Sequence, residues 1–482
     1  MSTESANPPS TAAADDQPWS PRLWGLLAVL CFALLLDGLD VTMVGVALPV
    51  IGDDLHMSTS SLQWIVNGYL LGYGGFLLLG GRTADLVGRR KVFLISLAVF
   101  GIASLVGGVV NDGTLIIITR LIKGVAAAFT VPTGLSIITT TFAEGRQRNR
   151  AIAIYTSFGA AGFSSGLILG GLMTSLSWRW SFLFPAPVAL AALLVGIALV
   201  PKDKGSGTGR YDLAGAVTST GALLLLVYTV VNAPALGWTA PQTLIGFALV
   251  IVLFAAFIVV EKRVSNPLVP LGIFRRGALV TACLSFVALL GSYFSFQFLV
   301  TLYLQGALGW SPLGLALALL PVGLIVAYGA PKAAAMIGKY GTAKLIVVGL
   351  IAESLGLLLL LRLDTTPSYW SMILPTVLLV GAAFALVFPC ANVQAVAGVQ
   401  PQEQGLAAGI IQASGQIGAA LVLAVTTAII AQPETAGKLS AADTLAQFQP
   451  GLIWATVIAL AGVVVLLPMA FRKPKPVVPV AA

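Results

Sequence analysis

Apolar stretches of about 20 residues recur along this chain, and that recurrence limits its fold more than any other feature. Fourteen can be counted, at roughly 24–50, 61–80, 92–110, 114–141, 150–174, 181–201, 213–232, 243–261, 278–305, 312–330, 344–362, 370–396, 404–431 and 451–470. A stretch of this length crosses a bilayer as a helix, because in lipid each backbone polar group must find its partner within the segment. The 482 residues are 58% hydrophobic and 9% charged, whereas a soluble chain carries about 25% charged residues. The expected fold class is therefore an all-α membrane protein.

The basic residues test that division. With both ends of the chain on the cytoplasmic side, 21 of the 26 Lys and Arg residues fall in inside loops, and three fall outside, at Arg179, Arg362 and Lys438. The other two, Arg120 and Lys123, lie within the fourth stretch. This is the positive-inside pattern, and adding or removing one helix would scramble it downstream. The net charge of +8 is thus explained by topology and needs no nucleic-acid partner. The first residues are rich in Ser, Ala and Pro and hold Glu4, Asp15 and Asp16. They read as a disordered cytoplasmic tail, not a cleaved signal.

Loop composition divides the chain into a tail (1–21), a six-helix half (22–201), a linker with inserted helices seven and eight (202–276), a second six-helix half (277–471) and a tail (472–482). The loop after the second stretch, GRTADLVGRRK, and the loop after the tenth, IGKYGTAK, are both basic and Gly-bearing. Such internal repeats are typical of transporters.

Four constellations carry chemical information. In GRTADLVGRRK, Gly81 and Gly88 permit a sharp turn, Asp85 can pair with a base or a helix N-terminus, and Arg89, Arg90 and Lys91 anchor the loop. In LDGLDVTMVGVALP, Asp37 and Asp40 are three residues apart on one helix face, inside an apolar span. A carboxylate there costs at least ~2.5–3.5 kcal/mol, which favours reversible protonation and marks a functional site. In RLIKGVAAA, Arg120 needs a counter-charge, and Lys123 lies one turn away. The two cations could balance Asp37 and Asp40, or attract an anionic solute. In the fifth stretch Gly159, Gly162, Gly166, Gly170 and Gly171 form a close-packing face. WRWSFLFPAP, from Trp178, reads as an aromatic belt at the outer surface.

The loop signature of Gly81, Asp85, Gly88, Arg89 and Arg90 resembles that of the major facilitator superfamily. The Asp40-x-Thr42 run, the RLIKG segment and the glycines of the fifth stretch resemble motifs of its fourteen-helix drug:proton antiporter branch. The resemblance implies two six-helix halves plus two inserted helices. It implies that Asp85 and Arg89 belong to a charge network holding the halves together in the outward-facing state, that Asp40 is the proton or cation site, and that Arg120 couples to it. It places helices one, four, nine and twelve around a central cavity. This chain departs from the pattern at Thr83, where an apolar residue is usual, at Gly45 in place of Asn, at Lys123 in place of Gln and at Leu167 in place of Pro. In the second half Tyr293, Gln297, Phe388, Asn392 and Gln394 are expected at the cavity, and Glu353 is a second proton candidate.

Absences narrow the function further. One histidine, His56, and three isolated cysteines offer no triad and no metal site. There is no nucleotide-binding loop of the Walker type. The expected activity is proton-coupled export of a small organic molecule across the cytoplasmic membrane by a monomer embedded in lipid, with no cofactor beyond the proton gradient. A proton-coupled importer of an organic acid or nutrient is the alternative on the same fold. A membrane enzyme lacks a catalytic constellation, and a receptor lacks a soluble output domain.

Overall fold

A computed structural model describes residues 19–143, 145–203, 212–264, 267–399, 403–431 and 440–470, apart from the side chains of residues 85, 160, 469 and 470. Most of the expected N-terminal tail, the expected C-terminal tail, the central residues of the 202–212 loop, Lys438 and the side chain of Asp85 therefore lie outside the described residues.

Among the described residues, fourteen helices are long and apolar enough to cross a membrane. They are α1 (Pro21–Leu55), α2 (Thr59–Val87), α3 (Arg89–Val109), α4 (Gly113–Thr141), α5 (Arg146–Leu176), α6 (Trp180–Leu199) and α7 (Leu213–Leu236). There follow α8 (Pro241–Arg263), α9 (Gly277–Ala307), α10 (Pro312–Tyr340), α11 (Thr342–Leu360), α12 (Tyr369–Val396), α13 (Gln404–Ile430) and α14 (Ala441–Ala470). The chain is a multi-pass membrane protein. Several helices outrun their apolar cores because local caps, not the lipid boundary, end them. Ser20, Ser58, Asp112, Asp212 and Ser311 each accept a backbone N–H of the following first turn. Helix α14 begins ten residues before the apolar run, where Ser440 accepts from the Asp443 N–H. At the other end of the chain the order starts earlier than expected: Trp19 is buried against Phe142, and its Nε1 donates to Gln147.

The contacts repeat. In the first six helices α1 packs on α5 and α6, α4 on α2 and α3, and α3 on α6. In the last six, α9 packs on α13 and α14, α12 on α10 and α11, and α11 on α14. The two sets meet along reciprocal seams, α5 on α10 and α2 on α13. Helices α7 and α8 stand outside this symmetry: α7 lies against α2 and α13, and α8 packs on α7. Gly88 and Gly341 mark the repeat at single-residue scale. Each is the lone residue between the second and third helices of its set, at φ 108° and 78°. A side chain is strained at such angles, so Gly is what lets the chain reverse there.

The glycines of α5 set its distance from α1. A Cβ at Gly162 would lie 2.4 Å from the Leu35 carbonyl, one at Gly166 2.0 Å from Thr42 Oγ1, and one at Gly170 2.7 Å from Met43 Cα. Gly171 points elsewhere, against Ala316 and the Pro312 carbonyl of α10, at the seam. WRWSFLFPAP is only partly a belt. Trp180 is exposed, but Trp178 is buried, its Nε1 donating to Asp54 at 2.8 Å while Arg179 stacks on its ring. The carboxylate at the end of α1 draws it inside.

Gly162→Val should cost about 1–3 kcal/mol by forcing α1 from α5, read as a lower unfolding temperature in detergent. Gly221→Ala, in α7 with nothing within 4 Å of its Cβ, should leave that temperature unchanged.

Candidate functional site

The two aspartates of α1 and the two cations of α4 meet in the first half. Asp40 is fully buried and takes both cations, Arg120 Nη1 on one oxygen and Lys123 Nζ on the other. Arg120 and Lys123 are buried as well. One helical turn separates them, so a single carboxylate from the facing helix reaches both. Arg120 Nε also donates to the Ile65 carbonyl at 3.0 Å. Asp37 is not bonded to either cation. It accepts from the Tyr69 hydroxyl and borders a small void with Phe100 and Thr130.

Aromatic faces complete the shell. The Arg120 guanidinium lies 4.5 Å from the centre of the Tyr69 ring. Lys123 Nζ lies 4.7 Å from that of Phe100 and 5.6 Å from that of Phe182. Such contacts are worth about 2 kcal/mol when desolvated. Gly124 brings α4 onto α2 here, since a Cβ would sit 2.2 Å from the Tyr69 carbonyl. Tyr69, Phe100 and Phe182 carry no charge and sit in ordinary apolar runs, so only the tertiary structure shows that they belong to the site.

The basic loop is held by the first half and the start of the linker. Asp203 caps α3, accepting from the N–H groups of Arg89 (2.7 Å) and Arg90 (3.1 Å). The Arg90 guanidinium donates to the Val200 and Ile197 carbonyls at the end of α6. Arg89 Nε donates to Ser136 of α4. Gly81 borders Pro132. Asp203 was not anticipated, as a lone acid in a linker carries no signal of its own.

The second half supplies an aromatic centre. The Tyr293 ring packs on Phe384 at 4.7 Å and on Phe163 of α5 at 5.9 Å. Gln297 lies against α1 at Gly45, its amide filling the space that a side chain there would need. Gln297 Nε2 has no hydrogen-bond partner. Phe388 stacks on Phe286 at 5.0 Å and is 38% exposed. It follows Phe384 by one turn on the same side of α12. At the opposite end hydrogen bonds join the halves: Gln305 Nε2 donates to the Val46 carbonyl (2.9 Å), and Thr427 donates to Gln63. Asn392 donates to the Phe388 carbonyl. Gln394 differs from expectation. It donates to Thr281 and accepts from Thr342 (3.0 Å), tying α9, α11 and α12 together, so its amide is already committed. Glu353 is buried in α11 against Ser292 of α9. That places it within the second half, on helices other than those carrying Asp40 and its cations.

The Major Facilitator Superfamily model matches residues 30–423, with a second match at 281–479. The chain belongs to this superfamily. It is 38% identical over 430 residues to the puromycin resistance protein pur8 of Streptomyces alboniger, covering 87% of this chain and 84% of the relative. It is 32% identical to the tetracenomycin C resistance and export protein of Streptomyces glaucescens, covering 89% and 80%. Among solved structures, the nucleoside transporter NupG matches at a TM-score of 0.62 and 14% identity, over 94% of this chain and 100% of that one. That likeness shows the fold alone.

Asp40→Asn removes the carboxylate that both buried cations bind, and should cost about 3–5 kcal/mol of stability. Adding Lys123→Met should recover part of that loss. Thermal unfolding of the purified proteins measures both; equal stability of the single variant and the parent would show that Asp40 does not anchor the cluster.

Proposed function

We propose that this facilitator exports a small organic molecule of the drug or antibiotic class, driven by protons, by alternating access across the cytoplasmic membrane. The observation that carries the reading is the buried Asp40–Arg120–Lys123 cluster, in a chain whose full-length relatives are named for resistance and export. The basic ends of the helices are assigned to the cytoplasm by the positive-inside rule. In this reading the central space takes up its solute from the cytoplasmic side.

In this reading Asp40, together with Asp37, exchanges protons with the central space. The aromatic faces of Tyr293, Phe384 and Phe388 suit a planar or hydrophobic solute, and Gln297 and Asn392 add hydrogen-bonding groups. The α2–α3 loop with Asp85, Arg89 and Arg90 gates the cytoplasmic side. The carrier acts as a monomer in the bilayer, with protons and solute as its only partners and no bound cofactor.

Inverted membrane vesicles containing the protein should accumulate puromycin above control vesicles when their interior is acidified, and a protonophore should abolish the difference. Asp40→Asn, compared at equal protein amount, should transport no more than controls. If no member of a panel of antibiotics and lipophilic dyes is moved by the parent protein, the export reading fails. Lys123→Gln should shift preference from anionic towards cationic solutes; an unchanged preference would exclude Lys123 from solute selection.

A further inference from the structure

Glu353 is a fully buried acid that the Asp40 cluster does not use. Its helix packs on α9, α12 and α14. Neither α9 nor α12 contains an Asp, Glu, Lys or Arg. Helix α14 contains only Asp443, in its first turn, α10 contributes Lys332 and Lys339 near its far end, and α11 itself carries Lys344 in its first turn. The titratable groups on the packed helices are Cys283, Tyr293 and Tyr303 of α9 and Tyr369 and Cys390 of α12. None of these is hydrogen-bonded to Glu353, whose partner is Ser292.

Ser292 Oγ has more acceptors around it than the one proton it can donate, the Leu289 carbonyl at 3.2 Å being the most distant. Ser292 Oγ lies 2.7 Å from Glu353 Oε1 and 2.5 Å from the Ala288 carbonyl. A serine hydroxyl donates once, and a carboxylate and a carbonyl are both acceptors. Both contacts become hydrogen bonds when the acid brings its own proton: Glu353 donates to Ser292 Oγ, and Ser292 donates to Ala288. The other carboxyl oxygen, Oε2, is buried with no partner. A neutral acid tolerates that far better than a carboxylate does. Ser292 immediately precedes Tyr293 on α9, the helix that brings Tyr293 and Gln297 to the centre. The acid therefore sits against the element whose movement would reshape the solute site.

We propose that Glu353 is a second proton-carrying site, separate from the Asp40 cluster. Its carboxyl holds a proton against Ser292 in this conformation. When α9 and α11 part and water enters, the O–H bond breaks, the proton passes to water and the carboxylate is hydrated; re-protonation from water restores the contact. The assignment rests on the transport reading only for its place in a cycle.

Infrared spectroscopy of the purified, ligand-free protein tests it without any solute. The parent should show a protonated-carboxyl C=O band that is missing in Glu353→Gln, whose amide can donate to Ser292 instead. The band should disappear reversibly as pH is raised over the range in which the protein stays folded. Ser292→Ala should move the same band to higher frequency, and serves as the deciding variant if Glu353→Gln does not fold. Parent and Glu353→Gln spectra without a difference, or a band that persists at every pH, would overturn the proposal. A failed export assay with a titrating band would overturn the transport reading and leave the proton site standing.

Discussion

Asp40 holds two cations at a depth where none of the three charges could stand alone. The first half is organised around that contact. Helix α1 supplies the acid and α4 both bases; α2 supplies the Ile65 carbonyl and the Tyr69 ring; α3 supplies Phe100 and α6 Phe182. Helix α5 adds no group, but its glycines decide how near α1 can lie to it. A charged cluster in an apolar interior tolerates little movement, since each separation strands a charge. Helices with few polar groups of their own are thereby held in one register.

The two halves share a packing plan and not a chemistry. Where the first half brings two acids and two bases together between α1 and α4, the second half has an aromatic group around Tyr293 and, buried apart from it, the acid Glu353. The halves come together at small residues: Gly171 against α10, Gly45 against Gln297, and Gly323 against Ser164. Small contact residues suit a seam that must slide, because they bring backbones close without interlocking long side chains. The inserted pair covers the α2–α13 seam through Thr220, which donates to the Gly75 carbonyl.

Period and charge made the number and type of the helices legible. A bilayer demands one apolar stretch per crossing, and lysine and arginine obey one side of it. The acids and bases of the site were legible for the same reason, as charges in lipid require an explanation. The pairing between them was not. Two acids and two bases suggest two pairs, yet both bases go to Asp40, because Tyr69 already supplies Asp37 with a hydrogen bond. Gln394 makes the same point. A polar residue in an apolar helix suggests a solute contact, but Thr281 and Thr342 satisfy it. Sequence shows which groups need a partner; only packing shows whether the protein already provides one.

Charge balance says what coupling would demand of such a site. With Asp37 and Asp40 ionised, the two acids and two bases sum to zero. A proton added to either acid leaves one positive charge in excess, within a shell of Tyr69, Phe100 and Phe182 that cannot hydrate it. Three changes relieve the excess: an anionic group can approach, a base can release its own proton, or the shell can open to water. Each alters the contacts between α1 and α4, and so the packing of α1 on α5 beside the α5–α10 seam. In the proposed cycle, protonation and rearrangement are then one event. Lys123 widens the choice, for a lysine can lose its proton where an arginine cannot. With a glutamine at position 123 the same proton would bring the cluster to neutrality directly; with lysine it leaves an excess that one of these changes must relieve.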